Sequence, residues 1–219
     1  MTPSPARLLI VDDHPIVRTG LAALLETEAD LSVCAQAEGY DDGLEALVRL
    51  APDLAIIDLA IKASSGLDLV RQCKRLGIRS LVVSMQDSPI WVERSLGAGA
   101  SGYVQKSDAG RTIVQAVRRV LAGRTYLSES LPGTSAQRSG AQTGGATAVR
   151  HPVQQLADRE LEVFVRIGRG LSSRQISEEL HISAKTVQTY RERIKQKLGL
   201  DRSAELSREA ARWVLEGDR

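Results

Sequence analysis

Residues Leu54 to Gly66, with the sequence LAIIDLAIKASSG, decide how the first half of this chain is interpreted. The apolar run Leu54–Ile57 has the length and composition of a buried strand in a parallel sheet. Asp58 follows where that strand leaves the sheet, which is the edge where open α/β sheets place their ligands. Taken alone, such an acid is as easily a turn former or a helix cap, so its meaning depends on the rest of the chain.

Other strand-like runs also end on chemically active residues. Asp12 and Asp13 follow the run LLIV, Ser84 follows LVV, and Lys106 comes two residues after GYV. Neighbouring carboxylates repel one another unless a cation joins them. Carboxylate and backbone carbonyl oxygens suit a hard ion such as Mg²⁺. His14, beside the two acids, is interpreted as a solvated loop residue.

Five such runs alternate with helical patterns between residues 8 and 122. This alternation predicts a doubly wound, flavodoxin-like (βα)5 sheet, whose carboxyl edge would gather the residues just described.

The constellation resembles the receiver domain of two-component response regulators, over roughly residues 7–122. The resemblance implies that Asp58 accepts a phosphoryl group and that Asp13 and Asp58 bind Mg²⁺, with Asp12 helping through water. The backbone carbonyl of Ala60 would be a further metal ligand. It also implies the strand order 2-1-3-4-5.

The same resemblance implies roles for three other side chains. Ser84 would be the hydroxyl that turns toward the phosphoryl group, Tyr103 the switching aromatic residue, and Lys106 the salt-bridging lysine. One position departs from the usual pattern, because Lys62 stands where proline is common. This departure concerns the rigidity of the loop and the lifetime of the phosphoryl group.

Charge and composition divide the chain into parts. Residues 1–130 carry 14 basic and 16 acidic side chains, whereas residues 151–219 carry 13 and 11. Between them lies a stretch rich in Gly, Ser, Thr, Ala and Gln, which predicts a flexible linker. The expected domains are therefore residues 1–124, a linker at 125–152, and a second domain at 153–219.

The location is expected to be cytoplasmic, in a reducing compartment. Cys34 and Cys73 fall in elements expected to be buried and lack metal-like spacing, so they are interpreted as small core residues. No apolar run approaches about 18 residues, and the N-terminus lacks an apolar signal core.

The second domain is predicted to be helical throughout. Helices are expected from Leu156 to Gly168, from Ser172 to Leu180, from Ala184 to Leu198, and from Ala204 to Leu215. Two short helices joined by a tight turn at residues 181–183 indicate a helix-turn-helix.

The third of these helices has two faces. Apolar residues at helical spacing are expected to face the core: Val187, Tyr190, Ile194 and Leu198. The polar side near the N-terminus is where a recognition helix meets DNA. The candidate contacts are Gln188 and Thr189 to bases, Lys185, Arg191 and Arg193 to phosphates, Glu192 to a cytosine amine, and Thr186 beside them.

This domain resembles the LuxR-type helix-turn-helix of the NarL/FixJ family, through LADRELEV, GLS, IS, KTV and KLG. Ala157 departs from the usual Ser or Thr helix cap, at an expected cost of about 1 kcal/mol. The resemblance implies that the last helix pairs two such domains, with Trp213, Leu206 and Ala210 in the contact.

The expected function is that of a DNA-binding response regulator that receives phosphoryl from a sensor histidine kinase. The expected partners are promoter DNA, RNA polymerase and, when the chain is phosphorylated, a second copy of it in a homodimer. No association with a membrane is expected. One alternative is a phosphorylation-independent regulator with a vestigial receiver. Another is a phosphatase that uses Asp58 as its nucleophile. An acid two residues after Asp58 would support that alternative, but Ala60 occupies the position, so the chain is expected not to be an enzyme.

Overall fold

The computed structural model describes residues 4–62, 64–131 and 152–217. The chain divides into two compact units, Met1–Ala141 and Gln142–Arg219.

In the described part of the first unit, six parallel strands form one sheet in the order β2-β1-β3-β4-β5-β6. The order of the first five strands confirms the expected flavodoxin-like arrangement. The strands are β1 (Ala6–Val11), β2 (Leu31–Ala37), β3 (Leu54–Ile57), β4 (Arg79–Ser84), β5 (Gly102–Gln105) and β6 (Tyr126–Leu127).

Helices cover both faces of this sheet. They are α1 (Pro15–Glu26), α2 (Tyr40–Leu50), α3 (Gly66–Leu76), α4 (Pro89–Ala98) and α5 (Lys106–Leu121). Helices α1 and α5 contact each other, and one core joins Leu25 and Ile113 to strand residues Leu8, Ile56 and Val83. Helices α2, α3 and α4 are neighbours in turn on the other face.

The predicted linker, residues 125–152, begins too early. Tyr126 and Leu127 pair with β5, and Ser128 donates its backbone N–H to the Tyr103 carbonyl at 3.0 Å. Leu131 is buried as well. Burial of Tyr126 and Leu131 fastens this segment to the first unit, whereas the rest of the predicted linker, residues 132–151, lies outside the described residues.

The second unit is helical, as expected. A 3₁₀ turn (Pro152–Gln155) precedes α6 (Asp158–Gly168), α7 (Ser173–Glu179), α8 (Ala184–Leu198) and α9 (Ser203–Gly217). The Ser172 and Ser183 hydroxyls accept from the backbone N–H groups of Gln175 and Thr186, so both serve as N-caps. Residues 180–183 form the tight connection of the helix-turn-helix.

The core of this unit shows that the expected pairing residues of the last helix have another role. Leu206 and Ala210 are fully buried in their own domain, and Trp213 packs edge-on against Phe164 with ring centroids 6.0 Å apart. Leu206 and Ala210 are therefore unavailable for pairing two domains, because their side chains are already buried within this unit. Leu215 is the large apolar side chain of α9 that is exposed.

None of the helices within residues 4–62, 64–131 and 152–217 has the length and apolar character needed to cross a bilayer.

Candidate functional site

The acidic residues predicted from the strand ends meet at the carboxyl edge of the sheet. Asp12 follows β1 and Asp58 follows β3, and the side chains of both are almost fully buried. One ligand atom from each of Asp12, Asp13, His14 and Asp58 lies within 4.8 Å of all the others. β1 and β3 are paired in register, Val11 beside Ile57, which brings the next residues of the two strands together.

Lys106 supplies the cation between two of these carboxylates. Its Nζ lies 2.7 Å from Asp58 Oδ2 and 2.7 Å from Asp12 Oδ2. Burial lowers the pKa of Lys106, but the Asp58 and Asp12 carboxylates outweigh burial and hold its pKa above the ordinary value. The lysine is therefore charged at neutral pH and fixed against both acids.

Asp58 remains under-compensated in spite of this lysine. Burial raises the pKa of Asp58 from 3.8 to about 6, Lys106 opposes the rise, and the nearby Asp12 charge adds to it. A hydrogen bond from the Ala60 backbone N–H favours the ionised form. The pocket therefore holds more negative charge than one ammonium group neutralises, and its buried oxygen atoms suit a hard divalent cation.

The loop after Asp58 is folded tightly against the strand. Ala60 bridges to Ser65, and the Gly66 N–H donates to the Leu59 carbonyl at 2.9 Å. A Cβ on Gly66 would stand 2.0 Å from the Asp58 carbonyl oxygen, so this position has no space for a side chain. Glycine at position 66 is thus a condition for the conformation around Asp58.

Lys62, the residue that replaces the common proline, ties this loop to its neighbour. Lys62 Nζ lies 2.7 Å from Glu38 Oε2, and the Lys62 carbonyl accepts from the Tyr40 N–H at 3.2 Å. Glu38 also pairs with Arg18 at 3.2 Å, and Arg18 Nη1 donates to the Asp12 carbonyl at 2.6 Å. A chain of ionic contacts therefore runs from the loop to the backbone of the acid pair.

Ser84 ends β4, and Tyr103 lies within the neighbouring strand β5. The Tyr103 ring is fully buried, and its hydroxyl donates to the Gln86 carbonyl at 2.7 Å. Ser84 Oγ accepts from the Gln86 N–H at 3.3 Å. Burial raises the pKa of Tyr103 well above its usual range, and a hydrogen bond with Ser84 offsets part of that effect.

Gln86 is a site residue that the sequence interpretation missed. Gln86 acts through its backbone, which no side-chain pattern can indicate. His14 is exposed in its loop, as expected, and its Nδ1 also lies 2.6 Å from Asp13 Oδ1. Its place directly after two acids was the available signal.

The polar face of α8 is open, as the sequence predicts. Lys185, Gln188, Thr189, Glu192 and Arg193 are exposed, while Thr186 and Arg191 are half-buried. On the opposite face Val187 and Ile194 are fully buried, and Tyr190 and Leu198 are half-buried. The helix therefore separates a core face from a polar face.

The charges of α8 are not all available to a ligand. Lys197 pairs with the buried Glu160 of α6 at 2.6 Å, and Lys195 pairs with Glu192 at 2.9 Å. Glu192 also accepts from Gln188 Nε2 at 3.1 Å. Within residues 152–217, no acidic side chain forms an ion pair with the other basic residues of the helix, which are Lys185, Arg191 and Arg193.

A shallow cavity of about 490 Å³ adjoins this face. Gln188 and Arg191 line it together with serine residues near the N-termini of α7 and α9: Ser172, Ser173, Ser203 and Ser207. A guanidinium among hydroxyl groups suits an anionic oxygen.

Comparison with known families agrees with this division of the chain. Residues 8–118 match the family described as "Response regulator receiver domain", and residues 154–210 match "Bacterial regulatory proteins, luxR family". The two matches coincide with the two compact units.

Two relatives match nearly the whole chain, and one solved structure matches part of it. "Transcriptional activator protein ExaE" of Pseudomonas putida is 35% identical, covering 91% of this chain and 92% of that protein. "Response regulator GacA" of Pseudomonas aeruginosa is 33% identical, covering 94% and 95%. A two-component response regulator of the LuxR family from Aurantimonas sp. SI85-9A1 has a TM-score of 0.58 and 31% identity, covering 63% of this chain and all of that one.

One chain thus contains a receiver-type acid pocket in its first unit and a LuxR-type helix-turn-helix in its second, and its relatives match it over nearly their full length. This chain belongs to the LuxR-type transcriptional response regulators.

Proposed function

We propose that a sensor histidine kinase transfers a phosphoryl group to Asp58, and that this transfer controls promoter binding by α8. The single observation that carries the proposal is the pocket in which buried Asp58 and Asp12 share Lys106 at 2.7 Å each. In an ordinary core, such burial of like charges is unfavourable, so the arrangement has a chemical purpose.

The residues of the pocket divide the transfer chemistry among them. A carboxylate oxygen of Asp58 attacks phosphorus, a P–O bond forms, and the P–N bond to the kinase imidazole breaks, leaving its electron pair on nitrogen. Lys106 stabilises charge on the transferred phosphoryl oxygens. Mg²⁺, held by Asp13, Asp58 and the Ala60 carbonyl with Asp12 through water, would supply further positive charge there.

Ser84 and Tyr103 would report the change in charge. A phosphoryl group on Asp58 adds nearly two negative charges and new acceptor oxygens. Ser84 can donate to one of those oxygens, which would end its hydrogen bond with Tyr103. The shared partner Gln86 then moves with them, because its backbone contacts both side chains.

The exposed face of α8 supports DNA as the ligand of the second unit. Lys185, Arg191 and Arg193 offer cations for phosphates, which position a protein on the duplex. Gln188 and Thr189 lie among them and can contact base edges. Glu192 holds Gln188 in a hydrogen bond that base contact would have to replace.

Phosphoryl acceptance can be tested without knowing the kinase. The full chain is incubated with Mg²⁺ and a small phosphoryl donor and followed by intact mass and size-exclusion chromatography. Gain of one base-labile phosphoryl group, with dimer formation, is expected in the wild type and in Asp41→Asn, a matched change of an exposed acid on α2. Asp58→Asn should show neither, and Lys106→Met should gain the phosphoryl group more slowly than the wild type, because the cation that stabilises the transferred oxygens is lost.

Two other functions make different predictions. A phosphorylation-independent regulator would bind DNA while its wild-type chain gained no phosphoryl group. A phosphatase would turn over external phosphomonoesters, which calls for an acid near Asp58 to protonate the leaving group; Ala60 stands at the expected place. Release of phosphate from the protein's own Asp58 is expected, without turnover of external substrates.

A further inference from the structure

His14 lies at the solvent-exposed edge of the acid pocket. It follows the acid pair directly, and its backbone is extended, with φ −89° and ψ 107°. Pro15 begins α1 and sterically favours this extended backbone in the residue before it. The His14 side chain is 64% exposed, so it can reach both the pocket and the solvent.

Both the backbone and the side chain of His14 face the acids. The backbone N–H donates to Asp12 Oδ1 at 2.8 Å. The imidazole Nδ1 lies 2.6 Å from Asp13 Oδ1 and 3.4 Å from Asp12 Oδ1. Two ligands at right angles on one ion, each about 2.1 Å from it, are about 3 Å apart. The observed separations lie on either side of that value.

We propose that His14 is a fourth protein ligand of this pocket and gives it a preference for borderline divalent ions such as Co²⁺, Ni²⁺ and Zn²⁺. The inference rests on the proposed function, in that it takes the three acids as the metal-binding set. An imidazole nitrogen suits these ions, whereas Mg²⁺ prefers oxygen ligands and retains several waters. His14 therefore discriminates between the two classes of ion.

A purely orienting role for His14 has a different consequence. An imidazole N–H that donates to Asp13 would hold that carboxylate in place for any ion. Its loss would then weaken the binding of Mg²⁺ and Co²⁺ by the same factor. If the nitrogen ligates the ion directly, loss of His14 weakens the binding of Co²⁺ far more than that of Mg²⁺, so the ratio of the two affinities separates the roles.

The test is a calorimetric titration of the full chain with Co²⁺ and with Mg²⁺ at one pH. His14→Ala should weaken Co²⁺ binding about tenfold or more and Mg²⁺ binding less than about twofold. Excess Mg²⁺ should displace Co²⁺ from the wild type, which locates both ions in one pocket. The visible absorption of bound Co²⁺, which depends on its ligands, should change in His14→Ala.

His181→Asn is the matched control, because His181 is exposed in the other unit and its φ of 52° is one that asparagine tolerates. It should leave both affinities unchanged. Equal losses for both ions in His14→Ala, or no loss for either, would overturn the inference. Retained Mg²⁺ binding and Asp58 phosphorylation would then keep the proposed function intact, whereas a wild type that binds neither ion contradicts both.

Discussion

The Asp58 carboxylate is buried, and its surroundings neutralise its negative charge only in part. Its pKa is raised from 3.8 to about 6, chiefly by burial. The folded chain therefore binds a proton that the unfolded chain releases between these pH values. The contribution of Asp58 to the free energy of unfolding is therefore most favourable below pH 3.8, decreases as the pH rises to about 6, and is lower by about 3 kcal/mol above that pH in the metal-free protein.

Asp58→Asn should remove this penalty. In a chelator, the variant should gain up to about 3 kcal/mol of stability over the wild type at neutral pH, and the gain should shrink as the pH falls from about 6 to 3.8. Urea unfolding followed by Trp91 fluorescence, in a Trp213→Phe background so that only the first unit reports, measures it. A gain that is independent of pH would contradict the account.

The residues of this pocket were predictable to different extents. Asp12, Asp58 and Lys106 converge as expected, because parallel strands deliver their carboxyl ends to one edge of the sheet. The proposed metal ligation and switching roles of these and the other pocket residues stay predictions. Gln86 could not be found, since its contacts come from the backbone. His14 is exposed as expected, but its contact with Asp13 could not be predicted, because side-chain direction at a strand end is not encoded in spacing.

Among the secondary-structure elements, the loop between β3 and α3 has no space for a side chain at Gly66. Gly66→Ala should lower the free energy of unfolding by more than about 2 kcal/mol, because the added Cβ meets the Asp58 carbonyl at 2.0 Å. Gly20→Ala on α1 is the control, since nothing lies within 4 Å of its Cβ; it should stabilise the chain by about 0.5–1 kcal/mol. Equal effects in urea denaturation would show that the close approach at Gly66 is relieved easily.

Helix α6 begins without a side-chain cap. Ala157 has the extended backbone of an N-cap, and only the reciprocal half of the capping box is present, in which Glu160 accepts from the Ala157 N–H at 2.8 Å. Ala157→Ser should add the missing hydrogen bond and stabilise the second unit by about 1 kcal/mol. Ser172→Ala, which removes the formed cap of α7, should cost a similar amount in thermal unfolding. No gain from Ala157→Ser would mean that the Glu160 contact already satisfies this helix end.

Elements were predicted unequally for physical reasons. Helix α8 follows its amphipathic period and its caps, and its bounds agree with the prediction. The strand β6 has only two residues, too few to show an alternating hydrophobic pattern, so this segment was assigned to the linker. The pairing role of Leu206 and Ala210 came from the family resemblance, and their apolar spacing could not test it, because a stripe on a helix does not say whether its partner is the same domain or another.

For the whole molecule, DNA affinity is expected to depend on Lys185, Arg191 and Arg193 of α8, which form no ion pair within the described residues 152–217. Arg193→Ala should reduce the slope of log affinity against log salt by about 0.9, the value for one phosphate contact on duplex DNA. Gln188→Ala should leave the slope unchanged and relax base preference at one position. Fluorescence anisotropy across a salt series measures both, and an unchanged slope in Arg193→Ala would remove that residue from the interface.

One assay tests both units together, by measuring how phosphorylation of Asp58 changes the affinity of the chain for DNA. Duplex DNA is first selected from a random library with the full chain, and its affinity is then measured with Mg²⁺, with and without a small phosphoryl donor. The donor should tighten binding by about tenfold in the wild type and change nothing in Asp58→Asn. Equal affinities in all four samples would contradict control of DNA binding through Asp58.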